Sequence, residues 1–196
     1  VLSKQRKLEE YQEVISSNLE EINYMSKVLE DLFVLSKSDE NQVNLDCKPV
    51  DLRALVEEVC KHAEVLAEEK NMKIVIAFLE PTEVKGDEVR LRQMVWNVLQ
   101  NGIKYTQNSG ELKISLQNED EFVLLSIQDT GIGIPEEDLP LIFNRFYRVD
   151  KARTRDEGGS GLGLSICKQI AEAHKGKIEV ESKLGVGTRF KIRLPN

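Results

Sequence analysis

Asn97, Asn101 and Lys104 stand at i, i+4 and i+7 of one apolar-periodic segment. On a helix, two amides and an ammonium at that spacing share one narrow sector. An amide carbonyl is a hard oxygen that can ligate Mg²⁺ and an ammonium neutralises phosphate, so the stripe suits a metal-bound polyphosphate. On its own, such a stripe is more often a solvated face. Gly102 weakens the helix by about 1 kcal/mol relative to alanine, which fits close backbone approach there. A second segment, Asp129-Thr-Gly131-Ile-Gly133-Ile134-Pro135, follows a strand-like run. A carboxylate at a strand end only accepts hydrogen bonds, so it takes one from the exocyclic amine of adenine and repels the carbonyl of guanine. The glycines let the backbone turn sharply and lie against a flat base. Without its neighbours, the same string reads as a Gly-Pro turn after a strand.

A third segment, Gly158-Gly159-Ser160-Gly161-Leu162-Gly163-Leu164, opens a helical pattern. Backbone N–H groups and the positive end of a helix dipole there suit a triphosphate. The string is neither a Walker loop nor a Rossmann fingerprint. A fourth, Gly185-Val-Gly187-Thr188, also fits a plain hairpin turn. Pro135 to Gly158 is a connection of about 24 residues, long for a compact domain. It carries Arg145, Arg148, Lys151, Arg153 and Arg155, and reads as a cationic lid that closes on nucleotide. Phe143, Phe146 and Tyr147 are expected to anchor its base by packing.

These segments need elements to position them. Asp51 can cap a helix running to about Lys70, with Leu52, Leu55, Val56, Val59, Ala63 and Leu66 as its buried side. A strand is predicted at 72–79, with Val84 as a short partner near the Gly86 turn, and a helix from Asp87 to about Tyr105. Strands at 112–116 and 122–127 form a hairpin over the acidic turn at 118–121. A helix from Gly161 to about His174 precedes strands at 177–181 and 189–194. Helices and strands mix without βαβ alternation, which points to helices on one face of a mixed sheet. Ahead of all this, Leu8, Ile15, Ile22 and Leu29 form one heptad row, with Tyr11, Met25 and Leu32 on the other. Val14, Leu19, Val28, Phe33 and Leu35 widen the stripe to one that suits a four-helix bundle. No partner helix is present in the chain, so the partners come from elsewhere; the alternative is a lone helix packed on its own globular part. Residues 36–49 read as a polar hinge.

The 196 residues allow one domain plus an appendage, and a globular part of about 150 residues needs no metal or disulfide to fold. Cys47, Cys60 and Cys167 form no CxxC pair, which argues against a disulfide framework or zinc and favours a reducing, cytoplasmic compartment. A net charge of −7 speaks against a nucleic-acid partner. No apolar run approaches the ~20 residues of a membrane span. Val1 in place of an initiating methionine agrees with a fragment.

The order of the segments resembles the sensor histidine kinases of two-component signalling, whose ATP-binding fold is shared with gyrase-type and MutL-type ATPases. Asn97 to Tyr105 looks like that family's N box, Asp129 to Gly133 its G1 box, Phe143 to Phe146 its F box, Gly159 to Gly163 its G2 box, and Gly185 to Thr188 its G3 turn. The resemblance covers nearly the whole chain and implies an α+β fold: a two-layer α/β sandwich with a mixed, mostly antiparallel sheet, preceded by a long stalk helix. It divides the chain into residues 1–37 as the second stalk helix, 38–50 as hinge and 51–196 as the ATP-binding catalytic domain. It implies that Asn101 ligates Mg²⁺, that Asn97, Lys104 and Tyr105 surround the phosphates of ATP, and that Asp129 recognises adenine. Gly131, Gly133, Ile134, Gly159, Gly161, Leu162 and Gly163 would line the nucleotide, Arg145 and Arg148 would meet the γ-phosphate, and Thr188 would support the Asp129 side of the pocket.

In the ATPase relatives a glutamate four residues before the metal-binding asparagine activates water. Here that place holds Asn97, an amide that cannot act as a general base, so hydrolysis should be slow. The expected acceptor is a histidine followed by an acidic residue and a proline on the first stalk helix. Neither His62, followed by Ala63-Glu64-Val65, nor His174, followed by Lys175-Gly176, matches that pattern, and both read as structural. The implied partners are that missing stalk helix, a response-regulator receiver domain and a second protomer of the full-length protein; membrane attachment of the parent is left open. Other readings are a nucleotide-sensing module without transfer, and a serine kinase of the same fold.

Overall fold

The computed structural model describes residues 45–149 and 160–196, together with scattered residues between 11 and 29 that are all helical. β1 (Lys48–Asp51) leads into α1 (Leu52–Glu69), where the Asp51 carboxylate accepts from the Ala54 N–H at 2.9 Å as a helix cap. β2 (Lys73–Leu79) and β3 (Glu83–Gly86) precede α2 (Glu88–Tyr105), capped in the same way by Asp87 through the Arg90 N–H at 3.1 Å. β4 (Glu111–Glu119), β5 (Phe122–Asp129), α3 (Gly163–Ala173), β6 (Lys177–Lys183) and β7 (Gly187–Pro195) follow.

Five strands form one sheet in the order β2-β4-β5-β7-β6, with β2 parallel to β4 and every other pair antiparallel. Strand alternation sends Leu112, Ile114, Leu116, Leu125, Ile127, Phe190 and Ile192 to one face, where they join the apolar sides of the three helices in a single core. Lys113, Ser115, Ser126, Gln128, Arg189 and Lys191 take the other face, which none of α1 to α3 covers. The fold is thus α+β, a mixed and mostly antiparallel sheet with its helices on one side.

α2 buries Leu91, Met94, Val95, Val98 and Leu99 completely. At roughly 1.5–3 kcal/mol per side chain, that burial outweighs the ~1 kcal/mol cost of Gly102. A Cβ on Gly102 would lie 2.9 Å from the Leu112 side chain, so close approach is what the glycine permits.

Three expectations need correction. Val84 was expected to partner the strand at 72–79, but β3 pairs antiparallel with β1, setting buried Val84 opposite buried Val50. For the same reason Lys48 to Val50, read as the end of the hinge, belong to the folded domain. The helix expected from Gly161 begins at Gly163, because Gly161 has a left-handed φ of +72°. In the leading helix, Ile15, Leu19, Ile22, Met25 and Leu29 are 54 to 67% exposed, so these side chains are not packed on the domain. Leu8, Val28, Leu32, Phe33 and Leu35 lie outside the described residues.

Candidate functional site

Because β5 and β7 are neighbours, with Gln128 opposite Arg189, the end of one meets the start of the other. Asp129 is buried there, and its Oδ1 accepts from the Gly131 N–H at 2.8 Å and the Thr188 N–H at 3.1 Å. Burial pushes the carboxyl above the ordinary aspartate range, and the two N–H groups pull against that rise. Oδ2 takes no hydrogen bond among the described residues, so it keeps acceptor capacity that a ligand N–H would satisfy. Around it, the Ser182 hydroxyl accepts from the Ile134 N–H at 2.8 Å, donates to the Gly187 carbonyl at 2.9 Å and meets the Thr188 hydroxyl at 2.8 Å. Gly133 has φ +70°, and a Cβ there would stand 2.1 Å from the Lys183 carbonyl. The 129–135 turn is therefore pressed against the hairpin at 183–188.

The same turn is joined to α2, where the Ile132 N–H donates to the Tyr105 carbonyl at 3.1 Å. Asn97 is buried, and its amide nitrogen lies 3.4 Å from the Gly163 carbonyl, which brings the first and third segments together. Asn101, half-buried one turn further on, has no side-chain partner among the described residues. Lys104 places its ammonium 5.4 Å from the centre of the Tyr105 ring, a cation–π distance. α3 opens behind fully buried Leu162 with no side-chain cap, which leaves the N–H groups of its first turn for an anion or water.

The Phe146 N–H donates to the Gly161 carbonyl at 3.0 Å, and both residues have left-handed backbone, φ +62° and +72°. A Cβ on Gly161 would lie 2.9 Å from the Phe146 backbone, so only glycine fits. Phe146 is 57% exposed, which corrects the expectation that it anchors by packing: its backbone holds the segment instead. Phe143 does pack on the core, and the Tyr147 hydroxyl donates to Asp138 at 2.5 Å. Arg145 and Arg148 flank Phe146 and Tyr147 in this segment. Gly159, with Lys151, Arg153 and Arg155, lies outside the described residues.

Ser182 was not singled out by the sequence, where it is one polar residue in a strand and carries no signal. His174 is structural: its Nε2 accepts from the Asp87 N–H at 2.9 Å while Nδ1–H faces the Ile170 carbonyl at 2.7 Å. His62 is exposed on α1. Burial pushes the Cys60 thiol up to about 12, so it stays protonated and inert. No cluster of three or more His, Cys, Asp or Glu side chains suited to a metal occurs among the described residues. Nor is any helix among them long and apolar enough to cross a membrane. A groove of about 640 Å³ at the start of α1 is lined by Asp51, Glu57 and Glu83 against the one cation Arg53, which Glu57 already pairs, so the excess of carboxylates disfavours a polyphosphate.

A mixed sheet covered on one face, with a buried carboxylate and glycine turns gathered at one end, defines an α+β domain with its candidate site at that end. The model of the family described as "Histidine kinase-, DNA gyrase B-, and HSP90-like ATPase" matches residues 86–196, and the chain belongs to that family. It is 38% identical over 194 residues to the sensor histidine kinase CusS of Escherichia coli K12, covering 99% of this chain and 40% of that one. Among solved structures it is similar to the Acinetobacter baumannii histidine kinase AdeS (TM-score 0.79, 28% identity, 98% of this chain and 86% of that one). It is also similar to full-length ShkA in complex with AMPPNP (TM-score 0.82, 26% identity, 98% and 40%). The chain thus spans about 40% of the length of the curated relatives it matches.

Proposed function

We propose that this chain is the ATP-binding catalytic part of a sensor histidine kinase, transferring the γ-phosphoryl group of ATP to a histidine on a stalk helix supplied from outside the chain. Residues 1–37 would be the second stalk helix and 38–47 the linker, with the catalytic domain running from β1 to residue 196. The observation that carries the reading is Asp129: one carboxylate oxygen is held by two backbone N–H groups, and the other has no partner among the described residues. That oxygen would accept from the adenine amine, with Gly131, Gly133, Ile134 and Thr188 around the base. The ShkA relative's complex with AMPPNP supports a nucleotide in this fold.

Asn101 is the residue fitted to hold Mg²⁺, since its side-chain carbonyl oxygen, a hard donor, has no partner among the described residues. Bound there, Mg²⁺ would neutralise charge on the phosphates. Asn97, Lys104 and Tyr105 would flank the chain of phosphates, and the N–H groups at Gly161 and Gly163 would meet them, with Gly159 and with Leu162, whose N–H donates to the Ser160 hydroxyl at 3.3 Å and would exchange it for a phosphate oxygen. Arg145 and Arg148 would stabilise the γ-phosphoryl group as its bond to ADP breaks and a bond to the imidazole nitrogen forms. Asn97 can position but not deprotonate a water, which preserves the group for a protein acceptor. The phosphorylated histidine would then pass the group to an aspartate of a response regulator, the full-length protein working as a dimer in the cytoplasm, with any membrane anchor lying in its other parts.

The test mixes this chain with a separately produced histidine-bearing stalk, Mg²⁺ and γ-labelled ATP. An acid-labile phosphoprotein is expected. An acid-stable product would indicate a serine acceptor, and bound ATP with no transfer would leave a nucleotide-sensing module.

A further inference from the structure

Lys70 closes α1, but its side chain serves another helix. The ammonium donates to the carbonyls of Ile103 and Lys104 at 2.9 Å each, with the Thr106 carbonyl at 3.4 Å. Ile103 and Lys104 are in the last turn of α2, where carbonyls have no intrahelical partner. The Lys70 backbone is itself fixed, its N–H bonded to the Ala67 carbonyl at 3.1 Å and its carbonyl to the Ser109 N–H at 3.0 Å. Lys104 and Tyr105 stand in the turn that Lys70 grips, and the Tyr105 carbonyl is the one that receives the Ile132 N–H from the Asp129 turn. One ammonium therefore secures the corner where the helix ends and the glycine turn meets it.

The electrostatics of that corner give the contact a second consequence. A helix ends in roughly half a negative charge, which disfavours an anion beside its last turn. Lys104 projects from just such a turn. We infer that Lys70 is a positioning residue of the nucleotide site: it fixes the last turn of α2 and offsets the helix's negative end, so that a polyphosphate can lie against Lys104. This rests on the nucleotide site proposed above.

Calorimetric titration of the whole chain, with a non-hydrolysable ATP analogue plus Mg²⁺ and separately with adenosine, tests it in the wild type and in Lys70→Met, Lys70→Gln and Lys70→Arg. Lys70→Met should weaken the triphosphate analogue about tenfold while adenosine affinity moves less than about twofold. Lys70→Gln, which donates without charge, should remain weak for the triphosphate, and Lys70→Arg should recover most of the loss. If Lys70→Met does not fold, the Gln and Arg variants carry the comparison. Equal losses for both ligands, or a lowered melting temperature with both affinities unchanged, would make Lys70 a structural clamp only and overturn the inference. A wild-type chain that binds neither ligand would instead remove the nucleotide site itself, so the two failures are told apart.

Discussion

Asp129 divides its oxygens between two tasks, one holding the 129–131 turn to β7 and the other left for a ligand. Asp129→Asn keeps an acceptor for the two backbone N–H groups but turns the second oxygen into a donor facing another donor. Calorimetry should find the ATP analogue bound about ten- to a hundredfold more weakly, the equivalent of losing a charge-assisted hydrogen bond. The carboxyl also sets a pH dependence, since burial raises it above the ordinary aspartate value. In the window between the unfolded and folded values the folded chain holds the extra proton, so this group's contribution to stability falls as pH rises. Its capacity to accept from adenine falls in the opposite direction, as pH drops through the same window. Titrations at decreasing pH should therefore show a steeper loss of affinity in the wild type than in Asp129→Asn, with the decline from protonating the phosphates common to both.

α2 and α3 are joined away from the glycine segments by His174, which links the cap of one helix to the last turn of the other. Replacing it with alanine leaves the Asp87 N–H without its acceptor, while the Ile170 carbonyl keeps the backbone N–H of residue 174. Urea unfolding should register a loss of about 1–3 kcal/mol. Gly133→Ala meets the Lys183 carbonyl and a left-handed φ together. It should prise the turn from the 183–188 hairpin, lowering both the melting temperature and nucleotide affinity. Much at this scale was legible in the sequence: Asp51 and Asp87 as caps, the apolar side of α1, the β4–β5 hairpin and the polar stripe of α2 all write themselves in local spacing. The partner of β3 did not, because Val84 and Val50 are equally good neighbours in either direction until the 81–82 turn is known. Nor did the β5–β7 pairing, which sets Gln128 opposite Arg189, 61 positions on, and leaves no periodic trace. Phe146 was read from its hydrophobicity, whereas its left-handed backbone decides its place.

On the scale of the whole molecule, the described apolar side chains between Ile15 and Leu29 are exposed and should add little to the stability of the domain. Ile22 is 57% exposed, so Ile22→Asp should leave the unfolding free energy of the domain within about 0.5 kcal/mol. The same change should sharply reduce phosphorylation of a separately supplied stalk, if this face is where that stalk seats; unchanged labelling would assign the face no part in docking. Within the domain, β7 lies between β5 and β6 and carries Thr188 to Asp129. The strand that finishes the base-recognising corner is made of residues 187–195, so the corner cannot exist while those residues are still emerging or unpaired. Closing it requires a contact of long sequence separation, the slow kind in folding kinetics. In a refolding experiment, nucleotide binding should therefore appear with the last cooperative step rather than with the early helical signal, making ligand capture a clock for sheet closure.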